Sequence, residues 1–324
     1  MTSSSSITGA VAVVPGSIGN VGPGLDVLGA AVEGPGDSVR AEWCEAPGLV
    51  IRDPGDPDLS TEPTRNSAGI AGAAVLRAAA ALGSAPPARG IALTVTKGLP
   101  LSAGQGGSAA SAVAGAAAVN ALLGAPLDTR ALLQAALVAE ETVAGRHLDN
   151  IAPSLMGGIV LVRALDPIDV VALPVPPALR VVLAHPNQRL RTSEARAVLP
   201  REIPRAVALH QVAQVAAMVA ALHAGDLALL GRALDDRIAE PARAPLLPGF
   251  REAKAAALAA GALGASISGA GPTAFALCDG DAAAARVADA MQRAYAAAGV
   301  PATVRVTRID TTGTRIERTS SLPS

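Results

Sequence analysis

A glycine-rich segment at residues 97–111 has the composition of an anion site; it reads KGLPLSAGQGGSAAS. Because glycine lacks a Cβ, several backbone N–H groups can converge on one point, and the N-terminus of a following helix adds partial positive charge. Ser108, at the expected start of that helix, could bring its hydroxyl to a Mg²⁺ ion on bound phosphates. The Lys-Ser or Lys-Thr ending of the Walker loop is missing. A phosphate loop and a tight turn in a glycine-rich chain both fit.

Two further glycine turns carry polar groups. Residues 20–29, NVGPGLDVLG, place the amide of Asn20 and the carboxylate of Asp26 around one rigid turn, and residues 266–273 read SISGAGPT. Asp149 and Asn150 form an acid–amide pair before Ala-Pro, which fits substrate binding but also turn or helix-cap chemistry. The residues alone leave both interpretations open.

In this order, the three glycine segments resemble the signature motifs of the GHMP superfamily, the kinases of galactose, homoserine, mevalonate and phosphomevalonate. HLDNIAP from His147, TSEARAVLP from Thr192 and EPARAPLLPGF from Glu240 resemble segments of the homoserine kinase branch. The resemblance spans nearly the whole chain. It implies an α+β fold of two domains, an N-terminal domain like ribosomal protein S5 and a C-terminal ferredoxin-like domain. It also implies ATP-dependent phosphorylation of the homoserine hydroxyl to O-phosphohomoserine, a step of threonine biosynthesis.

The resemblance also implies site residues. Homoserine is a zwitterion, and the planar fork of arginine suits its carboxylate. The substrate-binding residues implied are Asn20, Asp26, His147, Asp149, Asn150, Thr192, Arg196 and Arg243. Those implied for ATP are Asn66 at the adenine and, at the phosphates, Lys97, Pro100, Leu101, Ser102, Ala103, Gly104, Gln105, Gly106, Gly107 and Ser108. Mg²⁺ is expected on Ser108 and Glu141, with Glu140 as the alternative.

The chain departs from the superfamily pattern in several places. Gly107 replaces a usual serine of the phosphate loop, Ile18 and Gly19 stand where Ser and Ala are usual, and Ala270 stands where Ser is usual. Two alternatives therefore stay open: a kinase of another small hydroxylated metabolite such as a mevalonate-type acid, or a non-catalytic ligand sensor. No residue settles whether a dedicated catalytic base exists, because phosphoryl transfer needs mainly alignment and charge neutralisation.

Alternating and helical patterns predict the elements that hold these segments. Ile7 to Val14 reads as a first strand that runs into an irregular stretch at residues 15–24. Helices are expected from Asn66 to Leu82, from Ser108 to Gly124 and from Asp128 to Thr142, and the last strand from Thr303 to Ile309. The proline-rich residues 173–177 look like a crossover, so we predict domains at residues 1–172 and 173–324.

Composition limits the partners. The chain has 324 residues and a formal net charge of -1, with no basic run that would displace counterions from a nucleic acid. Its apolar stretches are interrupted by polar residues, so no membrane partner is expected. Cys44 and Cys278 show no metal or redox spacing, and the first residues lack a signal-peptide pattern. We expect a cytoplasmic protein, and the resemblance implies a homodimer.

Overall fold

The computed structural model describes residues 7–83, 89–143 and 145–320, which form two antiparallel-rich sheets with helices packed on them. The strands are β1 (Ile7–Gly19), β2 (Leu28–Cys44), β3 (Leu49–Asp53), β4 (Gly90–Thr96), β5 (Ile159–Leu165), β6 (Ile168–Leu173), β7 (Leu179–Pro186), β8 (Gly264–Ile267), β9 (Ala274–Asp279), β10 (Ala302–Thr307) and β11 (Arg315–Ser320). The α-helices are α1 (Ser67–Ala81), α2 (Gly107–Leu122), α3 (Thr129–Val143), α4 (Ile151–Met156), α5 (Thr192–Ala197), α6 (Arg205–Ala224), α7 (Leu227–Ala233), α8 (Ala239–Arg243), α9 (Phe250–Ala259) and α10 (Gly280–Ala297).

The first sheet has seven strands in the order β11-β1-β2-β4-β3, with β5 paired to β2 and β6 to β5. Helix α2 packs on β1 and β2, and α1 and α3 pack against α2. Almost all of α2 is buried, which its small side chains permit. Gly115 shows how close the approach is, because a Cβ there would lie 2.4 Å from the Ala68 carbonyl oxygen of α1.

The second sheet has the order β10-β7-β9-β8, with α9 and α10 packed on it. A separate apolar core joins the two halves of the chain, since Ile18 and Val32 of the first sheet pack with Val181, Met218 and Phe275. This core holds the two sheets together on the side where the glycine turns meet. The expected α+β class is confirmed.

Two elements differ from the sequence expectation. Strand β1 continues through Gly19, where an irregular stretch was predicted, because a bulge in β2 lets Gly16 to Gly19 pair with Gly29 to Val32. The chain also does not end in the second sheet: β11 returns to pair with β1. The part of the chain after residue 173 therefore supplies all four strands of the second sheet and also β11 of the first sheet. The boundary at residue 173 stays a proposal for the crossover between β6 and β7.

Helix α6 is the one helix, among the described residues, that is long and apolar enough to cross a membrane by length and composition. Met218, Ala221 and Leu222 of this helix lie in the core that joins the two sheets. Leu209 and Val212 are 63% and 68% exposed. The helix thus has one buried face and one exposed apolar face.

Candidate active site

The phosphate loop lies between β4 and α2, and its backbone is shaped by glycines. Gly104 and Gly106 have φ angles of +74° and +71°, in the left-handed region that favours glycine. A Cβ on Gly106 would lie 2.0 Å from Ser17 Oγ and 3.1 Å from Asn150 Oδ1. Gly106 also precedes α2, and no side chain caps that helix end. The first N–H groups of a long helix thus remain available to an anion.

The three glycine segments that the sequence singled out come together here. Ser268 donates a hydrogen bond to the Gly104 carbonyl over 2.6 Å, and the Gly269 N–H donates to the Gly19 carbonyl over 2.9 Å. Thr273 donates its hydroxyl to the Ala103 carbonyl over 2.6 Å. The third glycine turn therefore braces the phosphate loop from the second sheet.

The individual loop side chains divide into two groups. Pro100 and Ser102 are exposed and Leu101 is half-buried, so this part of the loop faces outward. Ala103 and Gln105 are buried, and Gln105 reaches the Thr273 hydroxyl over 3.4 Å. Contacts of these residues with ATP stay predictions; the backbone around Gly104 to Ser108 is the part arranged for an anion.

Lys97 lies at the foot of the loop and is held within the protein. Its ammonium pairs with Asp37 and donates to the Gly107 carbonyl and the Ser111 hydroxyl, over 3.1 and 3.0 Å. The Lys97 side chain is 7% exposed. All three of its donors thus have acceptors. Lys97 therefore ties the loop to α2, and its contact with the phosphates stays a prediction.

Asp37 contacts the phosphate loop, although no motif in the sequence indicates it. It is fully buried, and besides Lys97 it accepts hydrogen bonds from Ser111 and from the N–H groups of Gly98 and Leu99. In the sequence it reads as part of a Gly-Pro-Gly-Asp turn, which gives no sign that it reaches residues sixty positions later.

The predicted substrate residues meet beside the loop. Asp26 accepts from Arg196 over 2.7 and 3.3 Å, and His147 Nδ1 lies 3.4 Å from Asp26 Oδ1. The Asn20 side chain accepts from the Asp26 N–H over 2.8 Å, while the Asn20 N–H donates to Asp149 over 2.8 Å. Asn20 and Asp26 have φ angles of +53° and +59°. These bonds hold an uncommon backbone in place.

Asn150, Thr192 and Arg243 complete that set. Asn150 accepts from Ser17 Oγ over 3.0 Å, so it touches both the pocket and the phosphate loop. Arg243 is 2% exposed and donates to the Ala195 and Gly269 carbonyls over 3.2 and 2.9 Å. Thr192 begins the short helix α5 that carries Arg196, and it is half-buried. These contacts link seven of the eight predicted substrate residues, and Thr192 lies one helical turn before Arg196 in α5. Their contacts with a substrate stay predictions.

The two glutamates of α3 are separated by burial. Glu140 is buried, and its Oε2 has no hydrogen-bond partner. Burial, then the nearby Asp149 charge, raise the pKa of Glu140 to about 7. Glu141 is instead exposed and pairs with Arg146 over 3.0 Å. Burial therefore favours Glu140 over Glu141 among the two alternatives, and the identity of the metal ligand stays a prediction.

The pKa of Asp149 is also raised, because this side chain is buried beside another carboxylate. Burial and the neighbouring Asp26 raise the pKa of Asp149 to about 7, although the Asn20 N–H and Arg196 oppose the shift. Carboxyl groups with pKa values raised by burial near other charges are typical of functional sites.

Asn66 has a structural task that the sequence did not reveal. Its side-chain oxygen accepts from the N–H groups of Ala68 and Gly69 at the start of α1, over 3.0 and 3.4 Å, and its amide donates to the Ser60 carbonyl over 3.0 Å. Asn66 is 6% exposed and caps the start of α1, and its contact with the adenine stays a prediction. The adjacent Ser67 hydroxyl lies 3.1 Å from that of Ser108.

Comparison with known proteins agrees with this arrangement. Residues 70–158 match the family described as GHMP kinases N terminal domain, and residues 218–297 match GHMP kinases C terminal. The fold is that of a GHMP kinase, and the chain belongs to this class.

Similar proteins indicate which family of GHMP kinases the chain belongs to. The chain is 41% identical to a homoserine kinase of Chloroherpeton thalassium, over 87% of this chain and 90% of the relative. It is 41% identical to one of Arabidopsis thaliana, over 93% and 83%. The crystal structure of homoserine kinase from Cytophaga hutchinsonii superposes with a TM-score of 0.89 at 40% identity, covering 95% of this chain and 97% of that one. The chain belongs to the homoserine kinase family.

Proposed function

We propose that the cleft formed by the glycine turns binds ATP and L-homoserine side by side and transfers the γ-phosphate to the homoserine hydroxyl. The chain is an ATP-dependent kinase with an alcohol group as acceptor. The observation that carries the arrangement is the contact between the two half-sites: Gly106 of the phosphate loop lies against Ser17 and Asn150, and Asn150 belongs to the acceptor pocket. A phosphate on the loop is therefore adjacent to a substrate beside Asp149.

The pocket has the charges that a zwitterion needs. Arg196 and Arg243 are the cations for its carboxylate, and Arg196 Nε is a buried donor without a partner. Asp26 and Asp149 are the anions for its ammonium, with Asn20 between them. An acid without an ammonium, such as mevalonate, would bring its carboxylate close to the buried Asp149 without a positive charge of its own, which costs free energy in a buried site. The pocket thus favours an amino acid.

The residues around the loop also fit a Mg²⁺ ion. Magnesium commonly binds one or two protein ligands together with substrate phosphates, which agrees with the lack of any cluster of three or more acidic, His or Cys ligands among the described residues. Glu140, with its unpartnered buried oxygen, and Ser108 would hold the ion. When bound, Mg²⁺ neutralises charge on the triphosphate. The ionised carboxylate of Glu140 is needed for this contact.

The protein's own part in the reaction is alignment. Backbone N–H groups at the start of α2 hold the phosphates, and the acceptor pocket holds the hydroxyl in line with the γ-phosphate. The anchoring of Lys97 by Asp37 keeps the loop in one conformation. Asp149 and Asn150 are the polar groups that orient the acceptor.

A coupled assay of ADP release tests the function. Homoserine, serine, threonine, mevalonate and shikimate are compared at millimolar concentrations with ATP and Mg²⁺, and turnover should be highest with homoserine. No turnover with homoserine would overturn the proposal, and higher turnover with mevalonate would point to the other substrate class. Arg196→Ala should raise the KM for homoserine far more than that for ATP. Arg191→Ala, at an exposed neighbour, is the matched control.

The cellular location and the remaining partners are proposed from the composition of the chain and from its surface. The net charge of -1 and the two free thiols support a cytoplasmic protein without a nucleic-acid partner. The core residues of α6 support its assignment as a helix of the folded domain and not as a membrane span.

The exposed Leu209 and Val212 of α6 support a homodimer in which two copies of this face pack together. Contiguous exposed apolar surface marks interaction sites, and most homo-oligomers are symmetric dimers.

A further inference from the structure

Gln211 is a buried amide of α6 that touches the first glycine turn. It is 8% exposed, and its Nε2 donates to the Pro23 carbonyl over 3.2 Å and to Asp236 Oδ1 over 2.7 Å. Its Oε1 accepts from the Arg237 N–H over 3.2 Å. The turn that contains Pro23 also contains Asn20 and Asp26. One side chain therefore joins that turn to the segment that leads into α8.

Asp236 connects this amide to Arg243. Its two carboxylate oxygens accept from the N–H groups of Ile238, Ala239 and Glu240, over 2.8, 3.1 and 2.8 Å, at the start of α8. Arg243 is the last residue of that helix. Because a five-residue helix has few internal hydrogen bonds, its orientation depends on such external contacts. Asp236 thus fixes the element that carries one arginine of the substrate clamp.

Hydrogen bonds on the other side of the pocket connect α8 back to the first glycine turn. Arg243 donates to the Ala195 carbonyl over 3.2 Å, and Arg196, the next residue, pairs with Asp26 over 2.7 Å. Asp26 lies in the same turn as Pro23. These contacts form a ring around the acceptor pocket, in which the Gln211–Pro23 bond and the Arg196–Asp26 pair each link its first-sheet and second-sheet parts.

We infer that Gln211 is a positioning residue for homoserine, holding the turn with Asp26 and the helix with Arg243 at the separation that fits the substrate. The inference rests on the proposed function of this pocket. Gln211 does not reach the phosphate loop through any of its hydrogen bonds named above. Its loss should therefore affect the amino acid and leave ATP nearly untouched.

The test compares Gln211→Met with wild type in the full-length protein. Methionine keeps the approximate volume and removes all three hydrogen bonds. At saturating ATP the KM for homoserine should rise about tenfold, and kcat should change less than twofold. With ATP varied instead, the KM for ATP should also change less than twofold. Gln214→Met, the same change at a half-buried position of the same helix, is the control and should leave all three constants unchanged.

A double-mutant cycle distinguishes positioning from general loosening. If Gln211 acts through the clamp, Gln211→Met should raise the homoserine KM much less in an Arg243→Lys background than in wild type. The inference would be overturned if Gln211→Met raised the homoserine KM as much in the Arg243→Lys background as in wild type. It would also be overturned if Gln211→Met alone raised the KM values for homoserine and ATP equally, or left the homoserine KM unchanged. If Gln211→Met does not fold, Asp236→Asn is measured against the same outcomes. Wild-type turnover of homoserine tests the proposed function separately.

Discussion

At the scale of single residues, burial decides which acidic groups can act. Glu140 and Glu141 are neighbours in the sequence, yet one lies beside Asp149 in the site and the other pairs with Arg146 at the surface. A helix turns by about 100° per residue, so adjacent positions face different directions. The chemistry of the pair is therefore set by the direction in which α3 packs.

Replacing Glu140 by Gln should lower kcat at least about 100-fold, because the amide keeps the shape but cannot supply the charge that a Mg²⁺ ligand needs. The measurement is ADP release over a range of Mg²⁺ concentrations. Glu141→Gln, the matched control, should stay within twofold of wild type. A reversed pattern, with Glu141→Gln the inactive variant, would restore the sequence-based preference.

The raised pKa values of Glu140 and Asp149 predict a pH dependence of stability. Both groups have folded-state pKa values of about 7, above their ordinary values of 4.5 and 3.8. The folded protein therefore binds more protons than the unfolded chain between about pH 4 and 7, and its free energy of unfolding falls as pH rises through that window. Urea unfolding of wild type should show this decline across the window, and Glu140→Gln should reduce it. An identical slope in the variant would refute the assignment.

At the scale of elements, the phosphate loop depends on a buried ion pair. Asp37→Asn leaves the Lys97 ammonium buried without its counter-charge, so the free energy of unfolding should drop by about 3–5 kcal/mol. The KM for ATP should rise, because Gly98 and Leu99 lose an anchor. The double variant Asp37→Leu with Lys97→Met should recover much of the stability. Denaturant unfolding and the coupled assay measure both effects.

An exposed pair provides the comparison for that experiment. Glu42 and Arg52 lie 3.1 Å apart with side chains 36% and 56% exposed, so Glu42→Gln should cost less than about 1 kcal/mol. A loss from Asp37→Asn as small as that from Glu42→Gln would show that the buried pair does not hold the loop.

The effect of Gly107, which replaces a usual serine of the phosphate loop, can be tested by mutation. A Cβ on Gly107 would meet no atom closer than 3.5 Å, and its φ is not in the left-handed region, so Gly107→Ser should fold normally and change the KM for ATP by about threefold or less. Gly106→Ala is the contrast, because its Cβ would lie 2.0 Å from Ser17 Oγ at a φ of +71°. That variant should lose most activity. Equal tolerance at both positions would contradict the loop geometry.

At the scale of the whole molecule, the exposed face of α6 predicts how copies associate. Leu209→Glu with Val212→Glu should convert a dimer into a monomer, because charge on both copies of an apolar interface opposes burial. Light scattering after size-exclusion chromatography measures the mass. Leu258→Glu changes an apolar residue of α9 that is 45% exposed and should leave the mass unchanged. A monomeric wild-type protein at micromolar concentration would refute the homodimer.

The sequence by itself determined the family, the α+β class and the segments that meet at the site. Glycine turns have a local cause, because residues such as Gly104 and Gly106 are suited to backbone angles that other residues rarely adopt. The ordered motifs therefore indicated the phosphate loop and the segments that carry the proposed acceptor pocket without knowledge of their contacts.

Only the tertiary structure decided the roles that depend on long-range partners and burial. It separated Glu140 from Glu141, assigned Lys97 to Asp37, gave Asn66 to the start of α1 and revealed Gln211. The tertiary structure also showed that the last strand, β11, pairs with β1. Desolvation, ion pairing and sheet pairing depend on groups far apart in the chain, and local residue patterns do not encode which distant group will be the partner.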